Sequence, residues 1–383
     1  MERRQPRLKE LSRELGLSIT TVSRALAGYS DVSPGTAERV REAAARTGYV
    51  PNRAGRALKS GQTGFVGLVV PVRDAQFIDA FLGEFVMGLG EALAEAGRDL
   101  ALTTATRNQD EMDVLAHVVN AGQVDGMVVS RATCTDARVR FLLDRGVPFV
   151  LHGRVLDETR PYAWIDTDGA AAFGEAARRL VALGHRRFGL LTFSDPMTFV
   201  HYRRAGLEAA LAEAGLALAP DAVAAAPRGD PAAIRAAAGR LVDAPERPTA
   251  ILCATDTLAI ALMEEAARRG IEIPRDLSVV GFDNLPVSSY ASPGLTTFDA
   301  RIQESGVAVA RMLLRVIEAG PAAVEPLLVA ADFIPRASHG PAPEGPARRA
   351  RIRAPKRKTP ERKTPEKETP ESHAHDTKRE DRT

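Results

Sequence analysis

The chain is poor in cysteine and contains no long uninterrupted apolar run. Cys134 and Cys253 are its two cysteines among 383 residues, which excludes a disulfide framework and favours a reducing compartment. No run of about 18 uncharged apolar residues occurs, and the N-terminal stretch MERRQPRLKELSRELG lacks the apolar core of a signal peptide. We therefore expect a cytoplasmic protein that is neither exported nor inserted in a membrane.

Sequence signals for catalysis and metal binding are also missing. The chain has no Gly-x-Ser-x-Gly elbow, no Walker A loop and no His-Glu-x-x-His pair. Four histidines, His117, His152, His185 and His201, lie far apart without Cys or carboxylates at ligand spacing, so we expect each to be hydrogen-bonded or exposed. The sequence predicts no enzyme, no cofactor and no metal site.

Charge is distributed unevenly although the net charge is only +2. Residues 1–62 contain 12 basic and 6 acidic side chains, and residues 341–383 contain 13 and 8. Residues 63–340 contain 26 basic and 35 acidic side chains, so an acidic middle separates two basic ends. Such asymmetry indicates that an end meets a polyanion, without choosing between nucleic acid and an anionic surface.

The chain is too long for one small domain, and changes in composition and hydrophobic pattern divide it into four zones. Residues 1–50 predict short helices, and residues 51–63 form a basic connector. Residues 64–336 alternate short apolar runs with long helical patterns. Residues 337–383 are rich in Pro, Lys and Glu and have no aliphatic periodicity, which predicts a disordered tail.

The first zone predicts three short helices. The first is marked by apolar residues at helical spacing, Leu8, Leu11 and Leu15. After a Gly-Leu-Ser turn, a second pattern runs over 19–26, and Ser18 is placed to cap it. Ser33 precedes a proline and caps a third helix that ends near Thr47. Helix, tight turn and helix in this order favour a helix-turn-helix unit.

In a helix-turn-helix the second helix enters the DNA major groove, so its outward positions need polar side chains. Val22 and Leu26 point inward in this pattern. The outward set is polar except for its first member: Ile19, Thr20, Thr21, Ser23 and Arg24. A solvated helix face has the same composition, so the pattern alone does not decide between the two interpretations.

The middle zone predicts an α/β fold. Strand candidates lie near 65–70, 99–104, 127–130, 149–152, 188–193, 251–254 and 279–282. Helix candidates lie near 78–96, 109–121, 136–145, 169–183, 201–214, 231–243 and 257–269. This alternation implies two doubly wound parallel sheets in a two-lobed arrangement, with ligands bound in the cleft beyond the carboxyl ends of the strands.

Three motifs at fixed spacing identify the N-terminal region more closely. They are S-x-x-T-V-S-R-x-L from Ser18, V-S-x-x-T from Val32, and G-Y-x-P-N-x-x-x-R-x-L from Gly48. With these motifs the segment resembles the DNA-binding region of the LacI/GalR family of bacterial repressors, and the likeness extends over about residues 7–335. The resemblance implies base-reading positions at Ile19, Thr20 and Arg24. It also implies phosphate contacts from Thr21, Ser23 and Asn52.

The resemblance also implies that residues 51–63 form a hinge helix in the DNA-bound dimer. Arg56 and Leu58 match DNA-contacting positions there, and Leu58 matches a leucine that wedges into the minor groove. Gly55 stands where alanine is usual, which costs the hinge helix about 0.5–1 kcal/mol. The alternative for Leu58 is packing of an amphipathic connector on the body.

For the body, the resemblance implies an effector domain similar to periplasmic sugar-binding proteins. Its expected N-lobe comprises about 64–163 plus 295–320, and its C-lobe comprises 164–294 plus 321–336. Arg203 and Asp283 match positions that hold polar groups of the ligand, an arrangement that suits a polyol.

Further candidates for the effector site are less specific. The first group matches a ligand-lining loop: Asp74, Gln76 and Phe77. The second group lies at the carboxyl ends of strand candidates: Ser130, Arg154 and Asp256. For the second group, a capping serine, a surface arginine and a helix N-cap are equally good interpretations.

The sequence therefore predicts a repressor of sugar-utilisation genes that binds double-stranded operator DNA as a homodimer or higher oligomer. A sugar-like effector would modulate binding as inducer or corepressor. The alternatives are a solute-binding protein of sugar uptake, which lacks a helix-turn-helix, and an enzyme on a doubly wound sheet. Seven basic residues within 347–358 predict either loose phosphate contacts or a solvated extension without function.

Overall fold

The computed structural model describes residues 8–26, 29–49, 61–71, 80–106 and 108–344. Three helices form the N-terminal unit: α1 (Leu8–Leu15), α2 (Ile19–Leu26) and α3 (Pro34–Thr47). The backbone N–H of Thr21 donates to Ser18 Oγ at 3.0 Å, and Ser33 caps α3 with Pro34 in the first helical turn. Both predicted caps are confirmed.

The three helices close over a small core. Leu11, Val22 and Val40 are each at most 1% exposed, and Ala25 and Ala43 fill the space between them. Val22 and Ala25 of α2 therefore point into the unit, whereas Ile19 and the polar residues of the helix are wholly or partly exposed. This is the arrangement that the helix-turn-helix interpretation requires.

The body alternates strands and helices as predicted. Its strands are β1 (Phe65–Pro71), β2 (Asp99–Ala105), β3 (Gly126–Val129), β4 (Phe149–His152), β5 (Ala163–Thr167), β6 (Phe188–Phe193), β7 (Val223–Ala226), β8 (Ala250–Cys253), β9 (Ser278–Val280), β10 (Thr297–Asp299), β11 (Leu327–Val329) and β12 (Asp332–Ile334). Its helices are α4 (Ala80–Glu95), α5 (Glu111–Asn120), α6 (Ala137–Arg145), α7 (Gly169–Ala182), α8 (Thr198–Glu213), α9 (Pro231–Asp243), α10 (Asp256–Arg268), α11 (Pro286–Tyr290) and α12 (Ile302–Ala319).

Two parallel sheets organise the body, which confirms the predicted fold class. The N-lobe sheet has the order β11-β5-β4-β3-β1-β2, and the C-lobe sheet has the order β7-β6-β8-β9. A short antiparallel pair, β10 with β12, lies where the chain passes between the lobes. Parallel strands buried by helices on both faces explain the continuous apolar runs of β1, β3, β6 and β8.

The structure corrects the predicted lobe boundaries. We expected the first crossing near 163, but β5 pairs in parallel with β4, so the N-lobe continues to Thr167. We expected 321–336 in the C-lobe, but β11 pairs with β5 and forms the edge of the N-lobe sheet. Edge strands of three residues carry too little apolar periodicity to be assigned to a sheet from sequence.

The structure also corrects the start of the predicted tail. Residues 337–344 fold against the C-lobe, and Ser338 there is completely buried. Its Oγ donates to the carbonyl of Val279 at 2.6 Å and accepts from the backbone N–H of Thr296 at 2.8 Å. Hydrogen bonds rather than buried apolar side chains hold this segment. Its polar composition therefore gave no sign in the sequence that it is folded. Residues 345–383 lie outside the described residues.

Helices α4 and α12 approach each other unusually closely on one face of the N-lobe. A Cβ on Gly88 would lie 1.9 Å from the carbonyl oxygen of Gln303, and a Cβ on Gly306 would lie 2.4 Å from the carbonyl oxygen of Phe85. Each distance is far shorter than a van der Waals contact. The atoms met are backbone atoms, which cannot move aside as the end of a flexible side chain can. Two glycines facing each other therefore set the spacing of this helix pair.

Candidate functional site

The exposed face of α2 carries the residues predicted to read DNA. Ile19 is 41% exposed, and Thr20 is also exposed. Thr21, Ser23 and Arg24 are half-buried at the edges of the same surface. The face is thus available to a partner, and the assignment of individual residues to bases or phosphates stays a prediction.

Arg24 already has protein partners on this surface. Its Nε donates to Asp31 Oδ1 at 3.1 Å, and its guanidinium carbon lies 4.8 Å from the centre of the Tyr29 ring. Arg24 and Asp31 are both solvent-accessible, so the pair contributes only about 0.2–1 kcal/mol. A guanine or a phosphate can displace Asp31 at little cost.

Several predicted site residues lie outside the described residues. In the connector these are Asn52, Arg56 and Leu58. In the segment that follows β1 in the sequence they are Asp74, Gln76 and Phe77.

A cavity of about 550 Å³ lies between the two lobes of the body. It opens beyond the carboxyl ends of the parallel strands, which is where open α/β sheets bind ligands. From the N-lobe it is lined by Pro71, Phe81, Arg131, His152 and Asp166 among others. From the C-lobe it is lined by Phe193, Asp195, Phe199, Arg203, Arg228 and Asp283 among others.

Arg203, a predicted ligand residue, lines this cavity from α8 and is 7% exposed. Its guanidinium carbon lies 3.5 Å from the centre of the Phe282 ring, and it donates through Nη1 to the carbonyl of Ala254. Burial lowers the pKa of Arg203 from its usual value, and the nearby carboxylate of Asp283 opposes that shift. The side chain is therefore fixed and only partly neutralised by the protein.

Asp283, the second predicted ligand residue, meets Arg203 in the cavity. Its Oδ1 lies 3.7 Å from Arg203 Nη2, and the residue is 8% exposed. Its backbone has φ of 110°, a conformation that is strained for any residue with a side chain. The backbone N–H donates to the carbonyl of Phe298 at 2.9 Å, which holds the loop after β9 in that conformation. The structure thus brings the predicted pair together.

Ser130 and Arg154 do not line the cavity among the described residues. Ser130 directly follows β3 and is buried, so the next residue, Arg131, reaches the cavity instead. Arg154 Nε donates to Asp166 Oδ2 at 2.7 Å, and its guanidinium carbon lies 4.0 Å from the centre of the Tyr202 ring. Arg154 therefore acts behind the cavity wall, where it joins an N-lobe aspartate to a C-lobe aromatic ring.

Asp256 is also behind the wall rather than in it. It is completely buried, and its carboxylate accepts the backbone N–H of Leu285 at 2.8 Å and the hydroxyl of Thr297 at 2.5 Å. Burial raises the pKa of Asp256 to about 6. The N-cap role that was the alternative for Asp256 belongs to Thr255. Asp256 is the first residue of α10, and its side chain ties the loop after β9 to the start of β10.

Sequence reasoning missed His152. Its ring lies 4.7 Å from the ring of Phe85 and 5.8 Å from that of Phe81, centre to centre. Among the described residues its buried Nε2 has no hydrogen-bond partner, and burial lowers the pKa of the imidazole. The expectation of a hydrogen-bonded or exposed histidine was wrong for this nitrogen, because the sequence does not show which rings pack around a side chain at the end of a strand.

The same expectation holds for His185. This histidine is buried, and its ring nitrogens lie 3.0 Å from Thr249 Oγ1 and 3.0 Å from the carbonyl of Gly340.

The acidic lining residues Asp166 and Asp195 were also missed. Asp195 follows a predicted strand and could have been found by its position, whereas Asp166 lies on β5, which the apolar pattern did not reveal.

No helix among the residues that the structure describes is both long and apolar enough to span a membrane. In the same part of the chain, no three His, Cys, Asp or Glu side chains are grouped to hold a metal ion.

Comparison with protein-family models gives two matches. Residues 7–52 match bacterial regulatory proteins of the lacI family, and residues 177–339 match a periplasmic binding protein-like domain. Among curated relatives, the HTH-type transcriptional regulator AglR of Rhizobium meliloti is 36% identical over 341 residues, covering 88% of this chain and 95% of AglR. RafR of Escherichia coli, also an HTH-type transcriptional regulator, is 35% identical over 286 residues, covering 74% and 83% of the two chains.

Solved structures agree with these matches. A transcriptional regulator CelR–cellobiose complex superimposes with a TM-score of 0.67 at 29% identity, covering 87% of this chain and 100% of that chain. The lac repressor dimer bound to operator and an anti-inducer superimposes with a TM-score of 0.76 at 23% identity, covering 88% and 100%, which establishes the shared fold.

Proposed function

Because this chain belongs to the lacI family of bacterial regulatory proteins and is a DNA-binding transcriptional regulator rather than an enzyme, we propose that it represses sugar-utilisation genes. In this proposal it binds a pseudo-palindromic operator as a homodimer, and a small sugar-like effector in the interlobe cavity controls that binding. The single observation that carries the proposal is the cavity at the strand ends, in which Arg203 and Asp283 present a donor and an acceptor side by side.

The DNA-binding half of the proposal is supported by α2. Exposed and half-buried Thr, Ser and Arg side chains along one short helix match the donors and acceptors of the major groove. We propose that Ile19, Thr20 and Arg24 read bases and that Thr21 and Ser23 contact phosphates. A bidentate contact of Arg24 with guanine would contribute about 1–3 kcal/mol of discrimination.

Residues of the connector and of the segment that follows β1 in the sequence complete the proposed sites. We propose that Asn52 and Arg56 contact the DNA backbone and that Leu58 enters the minor groove. Asp74, Gln76 and Phe77 are proposed to line the effector cavity. Two recognition helices are needed for two symmetry-related half-sites, which is the reason for proposing a homodimer.

The effector half is supported by the chemistry of the cavity and by relatives. An arginine and a carboxylate satisfy neighbouring hydroxyls as donor and acceptor, and the CelR structure contains cellobiose. A ligand with different affinities for the DNA-competent and DNA-incompetent states shifts their balance, and the coupling is reciprocal. Whether the effector releases or tightens operator binding follows from the sign of that difference.

The operator can be found by selecting duplexes from a random-sequence library with the full chain. We expect enrichment of a sequence with two inverted half-sites, and a gel-shift titration then gives its affinity. Arg24→Ala should weaken this binding by about tenfold or more, since a bidentate base contact is lost. Arg235→Ala removes the same charge from an exposed position on α9 and serves as the matched control.

Two results would contradict this proposal. Enrichment of no symmetric sequence would exclude operator recognition by a dimer. Equal losses for Arg24→Ala and Arg235→Ala would show that α2 contributes charge rather than base reading.

A further inference from the structure

Arg24 lies at the far end of the proposed DNA-reading surface. In a helix-turn-helix the N-terminal residues of the second helix contact the base edges, whereas Arg24 belongs to the last turn of α2, about 7.5 Å further along the helix axis than Ile19. An arginine must extend to reach a base edge from there, and binding then reduces its many rotamers to one. Recognition by Arg24 therefore depends on what holds its guanidinium in place.

Asp31 and Tyr29 hold that guanidinium in the protein without DNA. Arg24 Nε donates to Asp31 Oδ1 at 3.1 Å, and Arg24 Nη2 pairs with Oδ2 of the same carboxylate. The ring of Tyr29 lies against one face of the guanidinium, with its centre 4.8 Å from the guanidinium carbon. One edge and one face of the group are thus fixed before any base is contacted.

The backbone between α2 and α3 brings Asp31 back to Arg24. The N–H of Tyr29 donates to the carbonyl of Arg24 at 3.1 Å, and the N–H of Val32 donates to the carbonyl of Tyr29 at 3.3 Å. The side chain of Val32 packs on the core of the three-helix unit, whereas Asp31 itself is exposed. The fold of this turn, and not the ion pair alone, therefore sets the position of Asp31.

The edge of the guanidinium that Asp31 occupies is not the edge that a guanine needs. A guanidinium offers bidentate partners a side edge, formed by Nε and Nη2, and an end edge, formed by Nη1 and Nη2. Asp31 takes the side edge. Guanine O6 and N7 can accept from the end edge while the ion pair stays intact. Displacing Asp31 costs little, but contact with guanine does not require it.

Asp31 also places a negative charge on the surface that is proposed to meet DNA. A carboxylate there repels the phosphates of every duplex, whatever its sequence. Its pairing with Arg24 favours binding only where the arginine finds its base. Because specificity is a difference between affinities, both effects raise the preference for the operator over other DNA.

We infer that Asp31 is a positioning residue that determines operator specificity: it holds Arg24 by the Nε–Nη2 edge so that the Nη1–Nη2 edge meets a guanine. This inference rests on the proposed function, in which Arg24 reads a base.

The experiment measures discrimination at each base pair of the operator. Each pair of the selected operator is replaced symmetrically in both half-sites, and the dissociation constant of the full chain is measured for every duplex by fluorescence anisotropy at one salt concentration. Arg24→Ala identifies the pair that Arg24 reads, since discrimination is lost there, and we expect that pair to be G·C. Asp31→Asn should lower discrimination at the same pair by about fivefold or more, and elsewhere by less than about twofold.

Glu38→Gln is the matched control. Glu38 is the acidic partner of an exposed arginine, Arg41, within the same three-helix unit. The control removes the same charge without touching Arg24, so it should leave discrimination unchanged at every base pair. In an Arg24→Ala background, Asp31→Asn should have no further effect on discrimination, because the side chain that it positions is already absent. A cooperative thermal transition shows that each variant is folded.

Several results would overturn the inference while leaving the proposed function intact. These are unchanged discrimination in Asp31→Asn, an equal loss at all base pairs, the same loss with and without Arg24, and an A·T pair at the position that Arg24 reads. Failure of the proposed function looks different. If no symmetric operator is selected, or if Arg24→Ala changes discrimination at no pair, Asp31 has no base-reading side chain to position and both are rejected.

Discussion

Replacing Gly88 by alanine should destabilise the N-lobe, although alanine is the better helix former. On helix propensity alone the change favours folding by about 1 kcal/mol. The new Cβ, however, would lie 1.9 Å from the carbonyl oxygen of Gln303 and 3.0 Å from the backbone nitrogen of Val307. Both contacts are with the backbone of α12, so the helices must separate by more than an ångström to reach ordinary contact distances.

The magnitude follows from the cost of overpacking. Forcing extra volume into a packed interface costs about 1–3 kcal/mol, and a clash with backbone belongs at the upper end or beyond it. After the gain in propensity is subtracted, we expect a net loss of about 2 kcal/mol or more in the free energy of unfolding. For a body of this size each kcal/mol lowers the melting temperature by about 2–4 °C.

Gly90 provides the matched control on the same helix. A Cβ there meets nothing within 4 Å, so Gly90→Ala should stabilise the protein by about 0.5–1 kcal/mol. Urea unfolding followed by the fluorescence of Trp164 reports on the correct lobe, since the one tryptophan of the chain lies on β5. If Gly88→Ala and Gly90→Ala shift the midpoint in the same direction, the reasoning about the helix contact is refuted.

Three further predictions concern the cavity and its surroundings. Arg203→Ala should bind operator as the wild type does but lose its response to effector in the gel-shift titration; an unchanged response would reject Arg203 as a ligand contact. For Asp256, the folded-state pKa of about 6 lies above the ordinary value of 3.8, so its contribution is greatest at low pH and is lost as pH rises from about 4 to 6, by up to about 3 kcal/mol. Asp256→Asn should flatten that part of the stability profile, and a profile parallel to the wild type would contradict the assignment. In a double-mutant cycle, Arg154→Ala and Tyr202→Ala should show a coupling of about 0.5–2 kcal/mol in effector affinity, whereas strict additivity would mean that their contact does not link the lobes.

Much of the fold was predictable because local chemistry and global architecture agree. Ser18 and Ser33 sit before helical patterns, and both cap those helices. Continuous apolar runs marked β1 and β6, which are buried inside parallel sheets. These signals depend on a few adjacent residues, so they can be recognised before the fold is known.

The cavity was only partly predictable. Family motifs located Arg203 and Asp283, whose side chains do meet in the cleft. Ser130 and Asp256 lie at strand ends as expected, but whether such a side chain faces the cleft depends on the register and twist of the whole sheet. His152 could not be recognised, since its packing against Phe81 and Phe85 and its place at the cavity are set by the folded N-lobe rather than by neighbours in sequence.

Each lobe is built from segments that are distant in sequence, so the order of translation determines when each lobe can be completed. The N-lobe sheet lacks its edge until β11 has been made, and the C-lobe lacks Ser338, which seals β9, until residues close to 340 have been made. Both lobes therefore reach completion only at the end of translation of the body, and within a short stretch of each other. A ribosome that stalls before residue 327 would release two unfinished domains rather than one finished and one missing, and each would present unpaired strand edges to the quality-control machinery of the cell.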